Sequence, residues 1–215
     1  IALARYNSDG TLDTSFGNAG MVLAGLGAAD DYGIEIVQMP DGKLLVAGYT
    51  NDVEVYRYFM ARFNTDGSLD TSYGSDGFVT TKVSAGFRHE FDQMHLQADL
   101  KLVVVQDGVY RFNIDGSDDL TFGNAGLVRP ESITKLAIQS DGKLVLGAFV
   151  ITNNTFVIYR LNPNGSLDTS FGIEGKAKIT FDFTDELTGV ALQIDGKILL
   201  TGRFNNGSNN KAGGT

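Results

Sequence analysis

The chain has 215 residues, 42% of them hydrophobic, which is enough for one large or two small domains with an ordinary buried core. Seventeen Lys and Arg against 26 Asp and Glu leave a formal charge of −9, spread without blocks, which argues against nucleic-acid binding and against an anionic membrane surface. With no cysteine, disulfide scaffolds, thiolate metal sites and cysteine nucleophiles are excluded, and no apolar stretch approaches the ~18 residues of a membrane span.

In chain order, the block ARYNSDGTLDTSFGNAG at Ala4 to Gly20 returns as ARFNTDGSLDTSYGSDG from Ala61, YRFNIDGSDDLTFGNAG from Tyr110 and YRLNPNGSLDTSFGIEG from Tyr159. Between these lies a second motif: QMPDGKLLVAG from Gln38, QADLKLVVV from Gln97, QSDGKLVLG from Gln139 and QIDGKILLTG from Gln193. The first-motif arginines are spaced by 57, 49 and 49 residues, so the motifs hold while loops absorb the insertions.

Each unit reads as four strands. In the first complete one, Ile34, Ile36 and Gln38 share one face and Glu35, Val37 and Met39 the other. A Pro-Asp-Gly-Lys turn precedes the apolar run Leu44 to Ala47, and a variable loop leads to a third strand, Tyr58 to Phe63. The turn Asn64-Thr65-Asp66-Gly67, the link SLDTSYG and a short fourth strand, Phe78 to Thr81, complete the unit. No helical period of useful length occurs, and 27 glycines suit a turn-rich all-β chain. Four antiparallel strands every ~50 residues predict the blades of a β-propeller; a β-solenoid, with shorter repeats and no hairpin inside each coil, is the competing architecture. The units run approximately 1–33, 34–81, 82–129, 130–181 and 182–215, the first and last being partial and together making one unit. One propeller domain, or a segment of a larger ring, accounts for the whole chain. Pairing of its first strand with its last would close four blades, and the abrupt start at a strand favours a portion of a longer protein.

The alternating FNxDGSLDxSFGxxG and QxDGKLLVAG motifs resemble the delta-60 repeat family over essentially the whole chain. That resemblance implies a propeller in a tandem context, in large and often surface-associated bacterial proteins, and implies no reaction. Two copies depart from the pattern: Leu100 stands at a turn glycine, and Asp118 replaces the leucine of Ser-Leu-Asp.

Several residue sets carry possible chemistry. Asn7, Asp9 and Asp13, and again Asn64, Asp66 and Asp70, fall at the third, fifth and ninth positions of a calcium-loop frame. A cation at the first position (Arg5 or Arg62) and an aromatic at the twelfth (Phe16 or Tyr73) favour plain hairpin turns instead. An arginine and an aspartate recur eight apart: Arg5 with Asp13, Arg62 with Asp70, Arg111 with Asp119, Arg160 with Asp168. On covered strand faces such charges need fixed partners, which predicts one bridge per unit, with a ring of catalytic or ligand-binding arginines as the rival. Phe16, Tyr73, Phe122 and Phe171, each followed by glycine, are expected to plug the space between blades rather than to offer a carbohydrate platform. His89 and His95 are too far apart along an extended strand to share one metal ion. The sequons at Asn153, Asn164 and Asn206 are those expected by chance in an asparagine-rich chain.

No nucleophile elbow or phosphate-binding fingerprint occurs in the sequence, while a carboxylate pair drawn from different blades leaves no trace in spacing. The expectation is a non-catalytic extracellular or cell-surface module with no required cofactor. It would serve as a spacer, an adhesin, or a scaffold for a protein or glycan ligand or for neighbouring domains of the same long chain. A polysaccharide-acting enzyme with channel carboxylates and a calcium-stabilised module are the alternatives. Variation concentrates between second and third strands, making Asn51, Asp52, Glu54, Tyr56, Asn153 and Asn154 the candidate binding-loop residues.

Overall fold

The computed structural model describes residues 1–27, 30–52, 55–85, 93–150, 152, 154–180 and 184–204. The described strands form antiparallel sheets in which each strand pairs with its neighbour in sequence. A two-stranded sheet comprises β1 (Ala2–Ala4) and β2 (Met21–Leu23). The first four-stranded sheet has the order β3 (Asp30–Gln38), β4 (Leu44–Asp52), β5 (Val55–Phe63), β6 (Phe78–Ala85). The second runs β7 (Gln93–Leu96), β8 (Leu102–Val105), β9 (Val109–Phe112), β10 (Leu127–Val128). The third runs β11 (Ile133–Ile138), β12 (Leu144–Val150), β13 (Thr155–Leu161), β14 (Lys176–Thr180), and a last pair joins β15 (Thr184–Leu192) to β16 (Ile198–Phe204). The four-strand meander is therefore the unit, with strands 3 and 4 of a unit at one end and strands 1 and 2 at the other.

The chain divides into two compact units. One comprises Ile1–Glu90, Met94–Val103 and Phe112–Asp118, the other Phe91–Gln93, Val104–Arg111 and Asp119–Thr215. In the first unit Val46, Phe59, Ala61, Phe63 and Phe78 form a buried cluster onto which Ile1, Leu3 and Val22 of the β1–β2 pair pack. Burial at the run Leu45 to Ala47 is complete on both faces, as its continuous apolar character requires. In the second unit β15 lies on β12 closely enough that a Cβ at Gly147 would stand 2.5 Å from Leu187 Cδ2. A side chain at that position would have to displace Leu187 and Val190.

The turns follow their chemistry. In the last complete unit Gly165 N–H donates to Asn162 O and Asn162 N–H to Ser166 O, both at 2.8 Å, with Gly165 at φ +82°. That is a four-residue hairpin with a left-handed glycine closing it, and Asn7 to Gly10, Asn64 to Gly67 and Asn113 to Gly116 repeat it. At the other turn type, Leu100 holds φ +63°, where Gly42, Gly142 and Gly196 hold +83°, +80° and +83°.

One expectation is corrected. The variable loop read between second and third strands continues the ladder at its described residues: Thr50 pairs with Arg57, Asn51 with Tyr56 and Asp52 with Val55. The alternation of polar and β-branched or aromatic residues through YTND and VYRY lets the hairpin simply lengthen. The fourth strand likewise reaches Ala85 instead of stopping at Thr81. Glu54, Asn153 and His89 lie outside the described residues, while Asn154 sits in a turn at φ +51°.

Candidate functional site

The hairpin at the end of the third strand returns the chain so that Asp70 N–H donates to Arg62 O at 2.8 Å, and the same bond links Asp13 to Arg5, Asp119 to Arg111 and Asp168 to Arg160. Backbone pairing at this spacing places the two side chains together. Arg5 Nε donates to Asp13 Oδ2 at 2.8 Å, Arg62 Nε to Asp70 Oδ2 at 2.8 Å, Arg111 Nε to Asp119 Oδ2 at 2.7 Å and Arg160 Nε to Asp168 Oδ2 at 2.8 Å. The other carboxylate oxygen turns the link. Ser15, Ser72, Thr121 and Ser170 each donate backbone N–H and side-chain hydroxyl to it, the hydroxyl bonds all at 2.6 Å. The guanidinium then lies over the following aromatic, 4.5 Å from the ring centres of Phe16, Tyr73 and Phe122 and 4.6 Å from that of Phe171.

A lysine joins two of these stations. Lys43 Nζ donates to Asp70 Oδ2 at 2.7 Å, and Lys143 Nζ lies 3.1 Å from Asp168 Oδ2. Sequence reasoning missed this partner, although a lysine recurs in all four QxDGK-type motifs, at 43, 101, 143 and 197. The Lys43 and Ser72 hydrogen bonds hold Asp70 far below the usual carboxylate range, and the Ser170 and Lys143 bonds do the same for Asp168. Asp13 is also lowered, chiefly by Ser15 and less by Arg5.

The station also grips the turn of the following unit, a contact with no sequence signature because its acceptors are backbone carbonyls. Arg5 Nη1 donates to Thr65 O at 2.6 Å and Gly17 N–H to Asp66 O at 2.7 Å. Arg111 Nη1 donates to Pro163 O at 2.5 Å and Gly123 N–H to Asn164 O at 2.8 Å. The turn glycine lies flat on the aromatic: a Cβ at Gly67 would stand 2.8 Å from Phe16 Cε2, and one at Gly165 3.0 Å from Phe122 Cδ2. At the second station the hydroxyl of Tyr73 donates to Ile114 O instead, and burial raises the phenol pKa well above its ordinary value. Phe16, Tyr73 and Phe122 are buried plugs, but Phe171 is only half-buried, which departs from the expected uniform plug.

The calcium-frame residues are engaged separately. Asp9 Oδ1 accepts from Thr11 N–H at 2.9 Å and from its hydroxyl at 2.6 Å, which lowers the carboxyl pKa, and Asp66 is held by Ser68 in the same way. Asn7 Nδ2 donates to Thr11 Oγ1 at 3.1 Å and Asn64 Nδ2 to Ser68 Oγ at 2.9 Å. Asp13 and Asp70 face their arginines, so these oxygens do not converge, and among the described residues no three His, Asp or Glu side chains gather around one point. His95 lies on β7 with Nδ1 3.8 Å from Glu35 Oε1, and the other Glu35 oxygen accepts from Leu96 N–H at 2.9 Å.

One cleft of about 610 Å³ in the first unit brings two carboxylates to a common wall, Asp76 and Asp115, beside Ser75, Leu69 and Thr80. Asp115 is lowered by hydrogen bonds from Ser117, so at neutral pH it is an ionised acceptor. Such a group can bind a hydroxyl or a cation and cannot deliver a proton as a general acid.

Comparison with known proteins agrees with the sheets. No curated protein matches the chain. Residues 1–16, 40–73 and 139–171 match the model of a β-propeller family described as a domain of unknown function, DUF5122. The matched segments carry the hairpin turns and Arg–Asp stations of three units, and with the meander sheets they identify this all-β chain as a β-propeller repeat module.

Proposed function

We propose that the chain is a non-catalytic structural or binding module of an extracellular or cell-surface protein, in line with its resemblance to delta-60 repeats. The observation that carries the reading is the use made of the repeated polar residues. Each arginine of the stations is committed to an aspartate and an aromatic ring, and two also clamp the next unit's turn. Side chains so engaged hold neighbouring repeats in register. The acidic surface suits repulsion from nucleic acid and anionic lipid, and a protein or glycan ligand would meet the lengthened hairpin around residues 51–56.

The rival with a specific observation behind it is a polysaccharide-acting enzyme at the Asp76 and Asp115 cleft. A panel of polysaccharides, assayed for both retention and chain cleavage, separates the two. The module reading expects no cleavage, and expects any retention to vanish on trimming residues 51–56 while the melting temperature stays nearly unchanged. Cleavage lost in Asp115→Asn would overturn it. The calcium-stabilised variant predicts a melting temperature that falls on adding a chelator; the structural reading expects none.

A further inference from the structure

We propose that the second station is a docking site for a basic peptide segment of a partner protein, held open by the hydroxyl of Tyr73. It adds a site to the module reading and does not depend on the hairpin around residues 51–56. The first observation is a vacated pair of donors. At the first and third stations the arginine Nη1 and the N–H of the glycine after the aromatic hold two successive peptide carbonyls of the next turn, Thr65 O with Asp66 O and Pro163 O with Asn164 O. Ile114 and Asp115 stand at those repeat positions beside the second station. Here the Tyr73 hydroxyl takes Ile114 O, and among the described residues neither Arg62 Nη1 nor Gly74 N–H has an acceptor.

The turn glycine has moved as well. Gly67 and Gly165 lie on the rings of Phe16 and Phe122, whereas a Cβ at Gly116 would stand 3.2 Å from Thr80 O and 3.3 Å from Val79 Cβ, its nearest neighbours being on β6 instead of the ring. A tyrosine carries one oxygen beyond the ring edge, so the carbonyl it holds stands off from the two donors that grip it at the phenylalanine stations.

The second observation is the cleft of about 610 Å³ that borders this turn, a volume suited to a bound segment. Asp115 follows Ile114 into its wall, Ser75 and Asp76 follow Gly74, and Leu69, Phe78 and Val79 supply apolar surface. Tyr73 and Asp76 depart from the repeat together, since the first and third stations have Phe16 with Ala19 and Phe122 with Ala125. Ser117 occupies only Oδ1 of Asp115. Chemistry then picks the occupant. Donors that hold two successive peptide carbonyls at both sister stations suit a peptide backbone, and the carboxylates beside them select lysine or arginine side chains, whose stems the apolar wall accepts. The same carboxylates and the formal charge of −9 repel a phosphate or any polyanion.

The turn peptide 160–167, N-acetylated and C-amidated with a lysine added at each end, supplies the carbonyls that Arg111 and Gly123 hold. Titrated into the isotope-labelled full chain, it is expected to move the Gly74 amide resonance saturably, and the same peptide ended in glutamates is expected to bind at least about tenfold more weakly. Tyr73→Phe installs the residue of the other stations and is expected to return the turn to this one. The Gly74 amide then becomes as protected from hydrogen exchange as those of Gly17 and Gly123, and peptide affinity falls at least about tenfold. Asp76 holds φ +51°, which Ala19 and Ala125 also hold within a degree, so Asp76→Ala fits the backbone. It is expected to weaken the peptide and leave exchange at Gly74 unchanged. A Gly74 amide already protected in the unsubstituted chain, no saturable shift, equal binding of the glutamate-ended peptide, or equal binding by Tyr73→Phe would each overturn the proposal.

Discussion

Arg111 and Asp119 make the same bond as Arg5 and Asp13, yet the first pair is almost dry, at 6% and 3% side-chain exposure, and the second is wet, at 38% and 23%. A repeat unit has thus placed one interaction in two dielectric settings, and its energetic role differs accordingly. Removing one partner of a buried pair strands the other charge, whereas an exposed pair contributes little. Arg111→Ala is expected to cost about 3–5 kcal/mol and Arg5→Ala about 1 kcal/mol or less. Urea unfolding of both variants measures this, and equal losses would contradict it.

Leu100 occupies a left-handed turn position that its three counterparts fill with glycine. The strain of about 1–2 kcal/mol for a side chain there exceeds the ~0.5–1 kcal/mol that glycine's freedom costs in the unfolded chain. Leu100→Gly is therefore expected to stabilise by about 1 kcal/mol, read as a higher urea midpoint with an unchanged slope.

Asp118 stands where Leu12, Leu69 and Leu167 pack beneath Gly20, Gly77 and Gly175, each with its Cγ about 2.3–2.4 Å from the position of a glycine Cβ. Its backbone makes the expected bridge to Phe112, so the fold tolerates the acid while losing the apolar contact. Asp118→Leu is expected to add about 1 kcal/mol by burying part of a leucine, and a lower thermal midpoint would show that the site does not close on it.

Legibility in the sequence followed physical cause. The spacing of Arg62 and Asp70 was readable because hairpin pairing returns residue i+8 to residue i, and that of Phe16 and Gly17 because the glycine holds φ +57°. Lys43 was readable in principle from its recurrence but lies 27 residues from Asp70, beyond any local rule. The grip of Arg5 on Thr65 and of Arg111 on Pro163 was not readable, because a carbonyl acceptor places no demand on residue type. Likewise nothing in the Phe171 segment distinguishes it from its copies; only the packing around it does.

Acid should act through Asp70 and Asp168, whose carboxyls are held below their ordinary range by Lys43, Ser72, Ser170 and Lys143. A folded pKa below the unfolded one contributes stability that is complete above the unfolded value of about 4 and is lost as pH falls toward the folded value. Stability is expected to be flat from neutrality to about pH 5 and to fall steeply below about pH 4, with a shallower fall in the Asp70→Asn, Asp168→Asn double variant. A profile indifferent to those two substitutions would assign acid sensitivity elsewhere.

The recurring charges are architecture. A double-mutant cycle on Arg111→Ala and Asp119→Ala, followed by urea unfolding, tests it most directly. The account predicts a coupling energy of about 2 kcal/mol or more between the two side chains, and a value within about 0.5 kcal/mol of zero would contradict it.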